Sequence, residues 1–326
     1  MAAGALVILG CGRIARRHAA AARRLGLPLI FASRDPGRAR AYARQFQGLA
    51  AHGSYAEALG DPRAVGAVIC TPHACHLDNA RSAFAAGRHV LVEKPIARTL
   101  EEADHMIGAA AEAGRVLMVA EQFHFMPAFR QVKRLIDGGR LGPLREMHLV
   151  ARGFHGRSGW RLDVEAAGGG ALIDGGIHYL HNLRWWGRGV RRVFALRPPQ
   201  TVTEMAGEDS VSLLAELPAG AVGFISNSLG APGLGTFQWS AVTGAGATCF
   251  ADNRGRVVLV RGPGGLRPWF FGRDTRGYVA MLSAFRDAME RGRAPEMDGA
   301  EGRADLAVVR AAYRSIAEGR PVEVPC

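Results

Sequence analysis

Short apolar runs alternate with stretches of helical spacing through the first part of the chain. Ala5 to Leu9, Leu29 to Ser33, Ala67 to Cys70, His89 to Glu93 and Val116 to Val119 are predicted strands. Between them, Ile14 to Leu25, Pro36 to Gln47 and His76 to Ala86 carry helical periodicity, the last stopped by Gly87. Ser54-Tyr55-Ala56-Glu57 and Thr99-Leu100-Glu101-Glu102 place a hydroxyl three residues before a glutamate, the spacing of a capping box, so helices start at both points. The second ends at Gly114. Strand and helix in strict alternation predict βαβ units and a parallel sheet.

Beyond about Glu121 the texture changes. Leu144 to Ala151, Val211 to Leu217 and Ala221 to Ser226 are longer strand-like runs, the last two joined by Pro218-Ala219-Gly220 as in a hairpin. They predict an open, largely antiparallel sheet with helices on one face. A final helix from about Ala300 to Glu318 spaces Leu306, Val309, Tyr313 and Ile316 for docking on a core. The reading is α/β, with one domain over 1–121 and a second over 122–326.

Composition narrows the class. A 48% hydrophobic and 21% charged chain is globular, and no apolar run approaches a membrane span or a secretory signal. The five cysteines, Cys11, Cys70, Cys75, Cys249 and Cys326, lack CxxC spacing, so neither a disulfide framework nor a metal site is expected, and the expected address is cytoplasmic. The formal charge of +12 is spread along the chain without a basic run interleaved with aromatics. That excludes a nucleic-acid partner and leaves a bias toward small anionic ligands.

Three segments predict a dinucleotide site. Gly10-Cys11-Gly12-Arg13-Ile14-Ala15 is GxGxxA between a strand and a helix. Gly10 makes the turn, Gly12 admits a pyrophosphate to the backbone and Ala15 allows close helix–strand packing, with Arg13 and Ile14 opening the helix. The second strand then ends in Ser33-Arg34 where an NAD site usually offers a carboxylate, which favours NADP(H) over NAD(H). Asp35 before Pro36 reads as a helix N-cap. Thr71-Pro72, at a carboxyl-terminal strand end, is expected to line the dinucleotide, with His76 as a further contact and His73 less certain.

Only two of the 41 Lys and Arg residues are lysines, Lys94 and Lys133. Lys94 lies in Glu93-Lys94-Pro95 at another strand end. A compact ammonium shares a proton with a reacting oxygen where a guanidinium stays charged. Downstream, Gly168-Gly169-Gly170-Ala171-Leu172-Ile173-Asp174-Gly175-Gly176-Ile177-His178 sets Asp174 and His178 four residues apart, on one face if the segment is helical. Lysine, carboxylate and imidazole together suit reversible hydride transfer at a carbinol.

The succession GxGxxA, TPxxxH, EKP and GGGxLxDxGxH resembles the Gfo/Idh/MocA oxidoreductases over nearly the whole chain. The resemblance implies a Rossmann domain followed by an α/β domain for substrate binding and oligomerisation, in a homodimer or homotetramer. It implies Lys94, Asp174 and His178 as the catalytic group, Glu93, Lys94 and Pro95 beside the cofactor, and a cis Lys94-Pro95 peptide. Many members carry an acidic residue where this chain has His181, so His181 is an expected substrate contact acting as an extra proton relay, or a neutral packing change. Trp160 and Arg161 offer a stacking face and an anion-binding fork to the substrate, whereas Trp185 and Trp186 are read as core. The function expected is NADP-dependent interconversion of a secondary alcohol and a ketone on a sugar, nucleotide sugar or cyclitol. Reduction of a non-carbohydrate C=N or C=O group, or dinucleotide sensing without catalysis, are the alternatives.

Overall fold

Short strands that are apolar on both faces must be covered on both. In the computed structural model, which describes residues 4–154, 156–232 and 237–325, they form one parallel sheet. Its elements are β1 (Ala5–Leu9), α1 (Ala15–Arg24), β2 (Leu29–Ala32), α2 (Pro36–Phe46), β3 (Ala50–His52), α3 (Tyr55–Gly60), β4 (Ala64–Ile69), α4 (His76–Ala85), β5 (His89–Glu93), α5 (Leu100–Glu112) and β6 (Leu117–Ala120). The order is β3-β2-β1-β4-β5-β6, the Rossmann arrangement, and β1, β2 and β6 are buried along their whole length. Asp35, Ser54 and Thr99 accept N–H bonds from Arg38, Glu57 and Glu102 at 3.2, 3.5 and 3.2 Å, so all three caps formed where the sequence placed them. Strand β3 was not anticipated, since three half-buried residues at a sheet edge carry no readable period.

The remaining chain adds α6 (Gln122–Phe125), α7 (Pro127–Asp137), β7 (Leu144–Arg152), α8 (Val164–Ala167), a π-helical turn (Leu172–Gly176), α9 (Ile177–Gly187), β8 (Arg192–Leu196), β9 (Ser210–Glu216), β10 (Val222–Ser228), β11 (Phe237–Gly244), β12 (Thr248–Asp252), β13 (Val257–Gly262), β14 (Gly265–Phe270), α10 (Tyr278–Arg291), α11 (Gly299–Glu318) and β15 (Val322–Glu323). The second sheet runs β14-β13-β12-β11-β7-β10-β9-β8-β15. Among the described residues only β7 and β10 pair in parallel, so it is largely antiparallel. One face is covered by α7 and α9. Gly223 of β10 lets α9 approach, for a Cβ there would lie 2.5 Å from Leu183 Cδ1. The other face leaves Leu196, Leu214, Val222 and Phe250 exposed.

The chain divides into two compact units, Met1–Glu121 with Tyr278–Arg303 and Gln122–Gly277 with Ala304–Cys326. A continuous second domain over 122–326 therefore needs correction at 278–303. Helix α10 packs on α1 and buries Met281, Leu282, Phe285 and Ala288, while Met289 Sδ reaches Gly66 of β4. Its apolar stripe belongs to the core of the first unit, a pairing that local periodicity does not encode.

In the second unit the glycine-rich segment is held by a buried carboxylate and a half-buried phenol. Glu208 Oε1 accepts from the N–H of Leu172 at 2.9 Å and from the Tyr313 hydroxyl at 3.0 Å. The Tyr313 oxygen in turn accepts from the N–H groups of Gly170 and Ile173 at 3.2 and 3.3 Å. Donors at the start of a helical segment have no ladder partner, and here a carboxylate and a phenol serve them. A Cβ on Gly170 would lie 2.1 Å from the Glu208 carbonyl oxygen, so the backbone approach requires glycine.

Gly170→Ala should therefore destabilise the protein by about 1–3 kcal/mol, or abolish folding. Gly108→Ala, where a Cβ meets nothing within 4 Å inside α5, should stabilise it by about 0.5–1 kcal/mol. Denaturant midpoints for the two variants check this pair. A second expectation concerns pH. Burial raises the Glu208 carboxyl against the pull of its N–H and hydroxyl donors. Its contribution to stability is thus greatest below the unfolded value of about 4.3 and is lost as pH rises through the folded value. Glu208→Gln keeps the acceptor and removes the charge, so it should gain stability relative to the parent between about pH 4 and neutrality. A stability difference that does not change with pH would contradict this.

Candidate active site

The phosphate loop follows β1 as the glycine pattern requires. Gly10 has φ +92°, and a Cβ on it would sit 3.0 Å from the Cys70 carbonyl oxygen. A Cβ on Gly12 would meet nothing within 4 Å, so that side of the loop is open, and the Gly12 carbonyl accepts from Tyr42 Oη at 2.9 Å. Ala15 is fully buried at the start of α1, Arg13 is exposed and Ile14 is half-buried without a side-chain cap. An uncapped helix start behind an open glycine fits a pyrophosphate. Ser33 is buried and its Oγ accepts the Asp35 N–H at 3.2 Å, while Arg34 is exposed. The hydroxyl and guanidinium at the end of β2 thus suit the remainder of a dinucleotide.

At the end of β4, Thr71 is buried and its Oγ1 accepts from Asn79 Nδ2 at 2.9 Å, with Pro72 half-buried beside it. His76 needs correction as a cofactor contact. It is fully buried, with Nε2 3.1 Å from the Thr71 carbonyl and Nδ1 3.0 Å from the Pro95 carbonyl. Burial lowers its pKa against the pull of these carbonyls, so the neutral ring donates to one of the two. Its polar atoms clamp the ends of β4 and β5 together. His73, also buried, lies ring to ring with it at 5.5 Å. Glu93 is likewise turned inward, with Oε1 2.6 Å from His18 Nε2. Lys94 is half-buried after it, and the Lys94-Pro95 peptide is cis.

In the second unit, Asp174 sits in the π-helical turn and His178 in the first turn of α9. Asp174 forms ion pairs with Arg157 Nη2 at 3.0 Å and Arg161 Nε at 3.2 Å, partners the sequence did not point to. The Arg161 guanidinium also covers the Trp160 ring at 4.3 Å. His178 is half-buried, stacked on Phe123 at 4.6 Å and 18°, with Gln122 Nε2 3.5 Å from its Nε2.

His181 is corrected as a substrate contact. It is fully buried, with Nδ1 2.8 Å from Asp305 Oδ2 and Nε2 3.2 Å from His124 Nδ1. Arg184 Nε donates to Asp305 Oδ1 at 2.7 Å. Burial alone would raise the Asp305 carboxyl, but His181 and Arg184 hold it below the usual range. Trp185 stacks over both histidines and Trp186 is fully buried. His18, Gln122, Phe123, His124, Asp305, Glu208 and Tyr313 all escaped the sequence reading as site residues. Their partners lie far along the chain, and only the His at the fourth position after Ile14 offered a local hint.

Among the described residues there is no group of His, Cys, Asp or Glu able to hold a metal ion, and no helix long and apolar enough to cross a membrane. Residues 5–121 match the model of an oxidoreductase family with an NAD-binding Rossmann fold, and residues 129–248 match a GFO/IDH/MocA C-terminal domain. Inositol 2-dehydrogenase of Rhizobium meliloti is 30% identical over 97% of this chain and 98% of its own length. Among solved structures, levoglucosan dehydrogenase in complex with NADH and L-sorbose superposes with TM-score 0.91 at 21% identity, each chain fully covered. GenD2 from gentamicin A biosynthesis, in complex with NAD, superposes with TM-score 0.87 at 27% identity over 100% of this chain and 97% of its own. With its sheet order, its glycine turn and both halves matched, the chain belongs to the Gfo/Idh/MocA family of oxidoreductases.

Proposed function

We propose that the protein is an NADP-dependent oxidoreductase that interconverts a secondary alcohol and a ketone on a sugar, nucleotide sugar or cyclitol. The observation that carries this reading is the placement of Lys94 directly after β5, at the carboxyl end of a parallel sheet whose glycine turn is open for a dinucleotide. The name of the R. meliloti relative supports a cyclitol or sugar. Ser33 and Arg34 support a 2′-phosphate, although the two structural neighbours above were solved with NADH and NAD.

In this reading Lys94 Nζ donates to the carbinol oxygen and stabilises it as its proton leaves. His178 takes that proton when the alcohol is oxidised and returns it when the ketone is reduced. When bound, the dinucleotide accepts or supplies the hydride. Asp174, paired with two guanidiniums, fixes the turn that leads into α9. The two arginines beside Asp174 support an anionic group on the substrate, and Trp160 supplies an apolar face. The apolar residues on the open face of the second sheet support a homodimer or homotetramer. A cytoplasmic address belongs to the same reading.

NADPH should bind more tightly than NADH, and Arg34→Ala should weaken NADPH about tenfold or more while sparing NADH, as titrations of reduced-nicotinamide fluorescence would show. Equal loss for both would overturn the NADP assignment. The chemistry is tested on a substrate found by screening keto-sugars and polyols through nicotinamide absorbance. His178→Ala and Lys94→Ala should each lower kcat by roughly 10² while dinucleotide binding persists. Lys94→Arg should fail as well, because a planar fork does not replace a compact ammonium. Near-parental turnover by Lys94→Arg would defeat the role given to the lysine.

A further inference from the structure

Lys94 follows the last register pair of β5, Glu93 with Ala120, so its own backbone lies beyond the ladder. A lysine ammonium rides on four rotatable carbons, and its position is only as good as the backbone beneath it. The flanking residues are both tethered. Glu93, 6% exposed, turns its carboxylate inward to His18 Nε2 at 2.6 Å. Pro95 accepts from, or faces, His76 Nδ1 at 3.0 Å. We propose that His18 is a positioning residue for Lys94, acting through Glu93, with His76 holding the other side through the Pro95 carbonyl. The proposal rests on the reading of Lys94 as a catalytic group.

Packing alone does not account for His18. The ring is fully buried on α1, edge-on to Tyr278 at 5.5 Å and 89°, and its Nδ1 makes no hydrogen bond. A buried ring nitrogen without a partner is unfavourable, and an apolar side chain of similar shape would avoid that penalty. What an apolar ring lacks is the bond to Glu93, whose buried carboxylate needs a donor. The same bond ties the residue before Lys94 to the helix that begins at the phosphate loop, one turn from its start. The backbone leading into Lys94 is thereby fixed to the helix that faces the pyrophosphate, without any direct contact between His18 and a ligand.

The test reads Lys94 itself and needs no substrate. Because Lys94 and Lys133 are the chain's only lysines, reductive methylation with ¹³C-formaldehyde labels each as one signal beside that of the amino terminus. Lys133, paired with Asp137 Oδ1 at 2.6 Å on α7, is the internal control. His18→Phe keeps a ring against Tyr278 and removes the donor. It should shift or broaden the Lys94 signal several times more than that of Lys133. His18→Gln, which restores a donor to Glu93, should bring the signal most of the way back. If His18→Phe does not fold, Glu93→Leu breaks the same contact from the other side and should move the same signal. An unmoved Lys94 signal in the folded variant, or failure of His18→Gln to restore it, would overturn the proposal. Retained turnover in Lys94→Ala would instead defeat the catalytic reading and leave the positioning result to stand on its own.

Discussion

The central strands of the parallel sheet are buried on both faces toward their carboxyl ends, so wherever such a strand ends, the backbone and side chains beyond it must find partners inside the protein. That constraint shapes the first unit. The Gly12 carbonyl is met by Tyr42, the Thr71 hydroxyl by Asn79, one of the Thr71 and Pro95 carbonyls by His76, and the Glu93 carboxylate by His18. These side chains leave the loop ends ordered while Gly12 and Arg34 stay accessible to a ligand. The residues proposed for cofactor and chemistry stand on that support, and motif residues such as Glu93 and His76 serve as supports themselves.

The second unit meets the same constraint with different means. Its sheet is covered on one face only, and the glycine-rich segment enters α9 through a π-helical turn instead of a regular helix start. Three donors of that entry are taken up by Glu208 and Tyr313, which requires the backbone to come so close to Glu208 that Gly170 admits no side chain. Asp174 is thereby presented in the turn, where two arginines pair with it. Farther along α9, Asp305 and Arg184 surround His181 and pin the helix to α11. A charged network buried at this depth contributes little net stability when complete and is costly to break, so its structural consequence is a fixed placement of the helix.

Much of the fold was legible in the chain. The strands of the parallel sheet other than β3, the three longer strands β7, β9 and β10, the three N-caps, the glycine turn and the change of texture near Glu121 depend on interactions between residues within a few positions of one another, and side-chain period and capping chemistry report those directly. The family resemblance rested on motifs of the same local kind. The presence of Lys94, Asp174 and His178 was readable, because an unusual lysine and a glycine-flanked carboxylate and imidazole stand out in an arginine-rich sequence.

What tertiary structure alone decided is which of these groups face each other. Asp174 also reaches arginines 17 and 13 residues earlier, because the returning 157–161 segment brings them to the π-helical turn. His181 pairs with Asp305, 124 residues away, and Glu93 with His18, 75 residues away. Helix α10 joins the first unit after a long excursion of the chain. Sequence by itself determined most elements of the first unit, the longest of the second, the family and the chemical types present, since propensity, period and capping act over a few residues. Burial assigned the partners, because a polar group removed from water is satisfied by whatever donor or acceptor the packing brings to it, and that choice depends on the whole unit.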